Sequence, residues 1–245
     1  MTGLLITGTD TGVGKTFFAC ALSATLTARG KRVGVMKPVE TGCELKDGRL
    51  LPADALRLQH FSGSPLPLEL VCPYRFAPPL SPAVAAEMGG VTIEKQRLIV
   101  SYERIRTQHD ITLVEGAGGL LAPLAERYTF ADLARDLGIP LLVVVGSKLG
   151  AINHTLLTLH SASAMGLSVL GYILNHPSPS RDLAAETNGR TLARLTDTPC
   201  LGSLPFFPPS GDERQDRESL VLLMEREIDL EAISKPVEPG GRPRA

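Results

Sequence analysis

Short runs of consecutive apolar residues alternate along the chain with longer stretches in which apolar residues recur every three to four positions. That pattern predicts strands and helices in turn. The predicted strands are Leu4–Thr7, Val33–Met36, Ile111–Val114, Leu141–Val145, Val169–Leu174 and Cys200–Leu204. Most are continuously apolar, as expected of strands covered on both faces. Helical spacing runs through Lys15–Ala28, which closes on Arg29-Gly30, and through Ile93–Gln108, with Leu98, Tyr102 and Ile105 on one side. Gly150–Met165 sets Leu156, Leu157 and Leu159 on an apolar stripe and stops at Gly166, while Arg181–Leu195 and Glu218–Ile228 complete the set. Strands alternating with helices predict an α/β fold with a doubly wound, mainly parallel sheet and helices on both faces. No repeat of fixed period interrupts it.

One stretch breaks this rhythm. Residues 62–82 hold six prolines, at 65, 67, 73, 78, 79 and 82, together with Tyr74, Phe76 and several leucines. The apolar residues give it something to bury, so it is expected to be an ordered excursion or lid-like loop. Residues 235–245, rich in proline and glycine and almost without apolar side chains, are expected to be a disordered tail. That leaves 1–234 as one domain.

Composition narrows the function classes. The 245 residues are 43% hydrophobic, and 25 Lys+Arg nearly balance 26 Asp+Glu, so no nucleic-acid or membrane partner is expected on bulk electrostatics. Four scattered cysteines, Cys20, Cys43, Cys72 and Cys200, fit neither a disulfide framework nor a zinc site. The longest apolar block, Ile139–Val145, contains a proline and falls far short of a bilayer span. With no basic leader before Leu4, a cytoplasmic location is expected. The five histidines form no metal-ligand spacing and are expected on surfaces or helices.

The strongest chemical signal is Gly8-Thr9-Asp10-Thr11-Gly12-Val13-Gly14-Lys15-Thr16, set between the first strand and the first helix. It is a phosphate-binding loop in its required context, one residue longer than the plain pattern because the leading glycine is Gly8 and not residue 9. Its backbone N–H groups would cradle phosphate oxygens, Lys15 would reach the β/γ oxygens, and the Thr16 hydroxyl would face Mg²⁺. Glu115 follows the third apolar run and precedes Gly116-Ala117-Gly118-Gly119. It is either a magnesium carboxylate at the ligand-binding edge of the sheet or a strand-ending residue meeting solvent. Asp54, just after Pro52, is either a second such carboxylate or an acidic residue favoured by the helix dipole. Lys37 ends the second strand in Lys37-Pro38-Val39-Glu40-Thr41-Gly42. It is either solvated or a second cation for phosphoryl transfer to an anionic nucleophile.

Taken together, the loop 8–16, Lys37-Pro38-Val39-x-Thr41-Gly42, Asp54 and Val114-Glu115-Gly116-Ala117-Gly118-Gly119 resemble the dethiobiotin synthetase family. So do Pro73-Tyr74, Phe76-Ala77, Ser81-Pro82, Thr129-Phe130-Ala131-Asp132, Lys148-Leu149-Gly150 and Ile152-Asn153-His154. The resemblance implies a P-loop enzyme that uses ATP, Mg²⁺ and CO₂ or bicarbonate to close a cyclic urea on 7,8-diaminopelargonate, through a carbamate and its phosphoric anhydride. It implies metal ligation by Thr16, Asp54 and Glu115 and catalysis by Thr11, Lys15 and Lys37. ATP would be held by Gly12, Val13, Gly14, Lys15, Thr16 and Phe17, by Gly116, Ala117 and Gly118, and at the base by Asn175, Leu204, Pro205 and Phe206. The diamine would meet Thr41, Gly118 and, from the second subunit of a homodimer, Gly150, Ala151 and Asn153. Two positions depart from the family's pattern: Gly12, often acidic, and Thr187, where some members place a tyrosine near the substrate carboxylate and where neighbouring Asn188 is the possible substitute. The rival from another class is a regulatory or partition-type P-loop ATPase switch. Such proteins usually carry another lysine early in the loop, and none lies between Gly8 and Gly14.

Overall fold

The computed structural model describes residues 3–180 and 182–234, except the side chain of Glu213. The proline-rich tail expected at 235–245 lies outside them. The central sheet has six strands: β1 (Gly3–Gly8), β2 (Val33–Met36), β3 (Ile111–Glu115), β4 (Leu141–Gly146), β5 (Val169–Asn175) and β6 (Cys200–Leu204). All neighbours pair in parallel, in the order β6-β5-β4-β1-β3-β2. The chain passes from β1 to one side and, after β3, crosses to the other. A crevice therefore opens at the carboxyl ends of the strands, where such sheets bind ligands. The six strands coincide with the apolar runs to within one residue at either end, because burial on both faces leaves an uninterrupted signature.

The helices are α1 (Lys15–Ala28), α2 (Ala53–Ser62), α3 (Leu68–Val71), α4 (Pro82–Met88), α5 (Lys95–Arg106), α6 (Phe130–Leu137), α7 (Ala151–Ala164), α8 (Leu183–Leu195), α9 (Glu213–Glu227) and α10 (Leu230–Ser234). Side chains on β4 and β5 show how both sheet faces are filled. Leu142, Val144 and Ile173 join the core under α1 and α9, while Val143, Val145, Tyr172 and Leu174 join Leu159 of α7 and Leu192 of α8 in a second cluster.

Several expectations need correction. The buried face of α7 is Ala151, Thr155, Leu159 and Ala162; Leu157, expected on the stripe, points to solvent. Helix α9 starts five residues before Glu218, on the Asp212 side chain, which accepts from the N–H groups of Arg214 and Gln215. Arg181, the expected start of the eighth helix, lies outside the described residues, and α8 is capped by Asp182. His176 is buried beyond β5 and is not a surface or helix residue.

The excursion 62–82 is ordered, as expected, but it is not a lid. Val71 and Cys72 are fully buried, and Tyr74–Phe76 forms a strand paired in parallel with Val39–Thr41. The backbone N–H of Lys37 donates to Val71 O at 2.7 Å and that of Cys43 to Phe76 O at 2.9 Å. Its prolines fall where no ladder donor is needed, so the segment serves as the wall behind the end of β2.

Candidate active site

The strand ends deliver polar groups to one edge because the apolar requirement lapses where each strand leaves the helix layers. The loop after β1 runs over this edge into α1. Gly14, the residue before α1, has φ +95°, and a Cβ there would lie 2.1 Å from Asn175 Nδ2, so only glycine fits. Asn175, at the end of β5, is itself buried and donates from Nδ2 to Val13 O at 2.8 Å. The Val13 side chain packs into the core beside Gly146, which leaves its backbone for the loop's work. Lys15 folds back over the loop, its Nζ donating to Asp10 O at 2.9 Å. Burial, and after it the charge of Lys37, lowers the Lys15 pKa to about 8.

Beneath this loop four side chains from four segments converge. Thr16 Oγ1 donates to Glu115 Oε1 at 2.7 Å. Lys37 Nζ donates to the same oxygen at 2.6 Å and to Asp54 Oδ2 at 2.9 Å. Glu115 is 1% and Lys37 3% exposed, so their interaction is weakly screened and neither charge could stay there alone. Burial works against the Lys37 ammonium, but the Glu115 and Asp54 carboxylates outweigh it and raise its pKa. For Asp54, burial is likewise outweighed by Lys37, and its pKa is lowered. The solvated alternative for Lys37 is thus excluded, as is the solvent-facing one for Glu115.

Glu115 Oε2 is buried without a hydrogen-bond partner. A buried carboxylate oxygen left this way calls for a further positive group. With Thr16 Oγ1 and Asp54 close by, the donor set is hard oxygen throughout, which suits Mg²⁺. Among the described residues no three or more His, Cys, Asp or Glu side chains form a metal-holding group. The rest of its ligands would be phosphate oxygens and water.

The other sequence-predicted residues fall into four places. Gly116 donates from its backbone N–H to Ile6 O, and Gly118 lies against the loop, where a Cβ would sit 3.7 Å from Thr11 Oγ1. Thr11 and Gly12 are exposed on the loop, and Ala117, between Gly116 and Gly118, is half-buried against the core. Leu204 is buried at the end of β6, Phe206 is partly exposed, and the Phe17 ring packs at 6.1 Å on Phe207, a contact that the sequence reading missed. Thr41 ends the strand after Lys37, at the β2 side. Gly150, Ala151 and Asn153 begin α7 after β4, on the opposite side of β1. Within one chain, β1 and β3 stand between them and Thr41. Asn188, the possible substitute beside Thr187, is buried and donates from Nδ2 to Ser147 Oγ and Lys148 O, so it is already committed to holding the loop before α7.

Glu40 also went unremarked. Its carboxylate accepts from the backbone N–H groups of Asp54 and Ala55, at 2.9 and 3.0 Å. No spacing in the sequence could show this, because strand and helix meet only in the fold.

Residues 2–214 match a family model described as an AAA domain. Among curated proteins, the chain is 38% identical to an "ATP-dependent dethiobiotin synthetase BioD" of Thermodesulfovibrio yellowstonii, covering 94% of this chain and 98% of that one. It is 44% identical to the protein of the same name from Anaeromyxobacter dehalogenans over 85% of this chain and 92% of that one, and 40% identical to that of Bacillus licheniformis over 84% and 86%. Among solved structures it resembles the MinC:MinD cell division protein complex of Aquifex aeolicus, with TM-score 0.55, 15% identity and coverage of 96% of this chain and 98% of that chain. The cell division ATPase MinD of Pyrococcus furiosus gives TM-score 0.54 at 16% identity over 96% and 100%. At these identities the structural likeness establishes the P-loop fold alone.

Proposed function

The chain belongs to the ATP-dependent dethiobiotin synthetase family, and from that premise we propose that it carboxylates and cyclises 7,8-diaminopelargonate with CO₂, yielding dethiobiotin, ADP and phosphate. The observation that carries this reading is the Thr16–Glu115–Lys37–Asp54 cluster, with Lys37 and Glu115 buried at its centre, beneath a phosphate-binding loop. A P-loop enzyme that only hydrolysed ATP has no evident use for a second lysine fixed between two carboxylates.

One substrate amine attacks CO₂, forming a C–N bond and losing a proton to give a carbamate. The carbamate oxygen attacks the γ-phosphorus of ATP and ADP leaves. The second amine then attacks the carbamoyl carbon and loses a proton, closing the ring as the bond from that carbon to the phosphate oxygen breaks and phosphate departs. Each step gathers negative charge near the loop, so preorganised cations lower the barriers. Lys15, now folded onto Asp10 O, would turn to the phosphates, and Lys37 would face the carbamate and the phosphoryl group in transit. Thr11 and Gly118, adjoining at the rim, would border the reacting end of the diamine. Mg²⁺, held by Thr16, Asp54 and Glu115, would supply charge neutralisation on the β- and γ-phosphate oxygens when bound.

The base of ATP would lie toward Asn175 and Leu204-Pro205-Phe206. The diamine would extend from Thr41 and Gly118 to Gly150, Ala151 and Asn153 of a second subunit, where a helix N-terminus suits its carboxylate. The separation of Thr41 and Gly150 across β1 and β3 favours that shared site. A cytoplasmic setting agrees with the reading; among the described residues no helix is long and apolar enough to cross a membrane.

The test is phosphate release from MgATP with and without the diamine plus bicarbonate, with mass detection of the ring product. Diamine-dependent release with dethiobiotin formed is expected. Release indifferent to the diamine, with no ring product, would favour the ATPase-switch alternative.

A further inference from the structure

Helix α2 starts without a side-chain cap of its own. Pro52 stands at its N-cap position, so the N–H groups of Asp54 and Ala55 need an acceptor from elsewhere. Glu40 provides it, with one carboxylate oxygen for each N–H. Glu40 is only 6% exposed and sits on the strand Val39–Thr41, three residues after Lys37 and directly before Thr41. That strand is held from behind by Tyr74–Phe76, with Glu40 in register with Arg75. One short backbone segment therefore carries Lys37 and also grips the helix that brings Asp54 to Lys37 at 2.9 Å.

We infer that Glu40 is a positioning residue whose bidentate grip on the first turn of α2 sets the Asp54 carboxylate against Lys37 and Glu115 and so completes the metal-binding edge of the site. This role rests on the reading of Asp54 as a magnesium ligand proposed above. A single hydroxyl or amide cap satisfies one or two N–H groups from beside the helix and turns with it. A carboxylate anchored on a neighbouring strand fixes both the rotation of the helix about its axis and its distance from the strand, and its charge favours the helix N-terminus. The short range of metal–carboxylate bonding makes such registration matter, because a ligand displaced by part of an ångström is lost from the shell.

The experiment is a Mn²⁺ titration followed by electron paramagnetic resonance, on the ADP complex of the full chain. It compares the wild type with Glu40→Gln, Glu40→Asp, Asp54→Asn and the Glu40→Gln/Asp54→Asn double variant, with melting temperature and metal-free ADP affinity measured on each. Glutamine keeps the size but turns one acceptor into an amide donor facing an N–H, whereas aspartate keeps both acceptors on a shorter arm. Asp54→Asn is expected to weaken Mn²⁺ binding, and Glu40→Gln to weaken it about tenfold, with metal-free ADP affinity unchanged. Glu40→Asp is expected between Glu40→Gln and wild type. Adding Glu40→Gln to Asp54→Asn should cost nothing further, because the two act through one ligand. Wild-type Mn²⁺ affinity in Glu40→Gln beside a weakened Asp54→Asn would overturn the positioning role alone. So would an equal loss on both backgrounds, or a Glu40→Asp weaker than Glu40→Gln. Wild-type affinity in Asp54→Asn would instead overturn the metal-ligand reading of the proposed function, and the role of Glu40 with it.

Discussion

Lys37 holds two carboxylates together while being asked to serve a third anion, and the two tasks predict different consequences of its loss. Replacing it with alanine leaves Glu115 buried without its cation, which should destabilise the metal-free protein by about 3–5 kcal/mol. Saturating Mg²⁺ and ADP should restore much of that loss, so calorimetric melting with and without both is the check. In the same variant turnover should fall roughly 10²- to 10³-fold while MgATP affinity stays within a few-fold, because the charge acts on the transferring group more than on bound nucleotide. A large loss of MgATP affinity with turnover kept at saturation would contradict that assignment.

Lys15 carries a pH signature. Its pKa of about 8 lies below the 10.5 of an unperturbed lysine. Between those values the unfolded chain holds a proton that the folded site gives up, so this group's contribution to stability grows as pH rises through that window and is absent below it. A bound triphosphate favours the ammonium form and moves the pKa back up. ATP binding at about pH 8.5 should therefore take up protons, read by titration calorimetry in buffers of different ionisation enthalpy. Heats independent of the buffer would show that the lysine stays charged in the free site.

At the scale of elements, the recurring device is a short connection whose first helical turn is fixed by a side chain. Helix α6 shows it in local form. The Thr129 hydroxyl accepts from Asp132 N while Asp132 accepts from Thr129 N, a capping box that also sets the wall beside Gly116 through Phe130. Thr129→Ala should cost about 1 kcal/mol in urea unfolding with an unchanged slope, and no effect on the midpoint would deny the cap any weight. Helix α6 escaped the periodicity reading because Phe130–Leu137 is eight residues long, little more than two turns, although the Thr-x-x-Asp spacing was there to be read. Helix α2 shows the same device in non-local form, with its acceptor on another element, and no sequence window contains that signal.

For the molecule as a whole, the separation of Thr41 from the start of α7 bears on assembly. If the diamine spans two subunits, Lys37→Ala and Asn153→Ala protomers should complement each other. Random mixing of two inactive homodimers should recover up to about a quarter of wild-type activity, because half of the dimers would contain one site with both native contributions. No recovery after verified subunit exchange would place the whole site in one chain. Leu149, 83% exposed just before α7, would be covered in such a dimer and should become protected from solvent as protein concentration rises.

The six strands, helix α1 and the phosphate-binding loop were legible in the sequence because each rests on local rules: burial on both faces, helical period, and glycines between strand and helix. The family resemblance extended that legibility to Lys37, Asp54 and Glu115 as a group. What the sequence left open was which physical alternative each of these residues obeys, since a lysine or glutamate at a strand end reads the same whether it meets water or another charge. For Lys37 and Glu115 only the fold decided it, by bringing the ends of β2 and β3, the first turn of α1 and the start of α2 to one edge where both charges are buried. The same holds for the proline-rich excursion, whose docking depends on a partner strand far away in sequence, and for Glu40. Backbone periodicity reports the face a residue presents, and tertiary packing alone determines what lies opposite it.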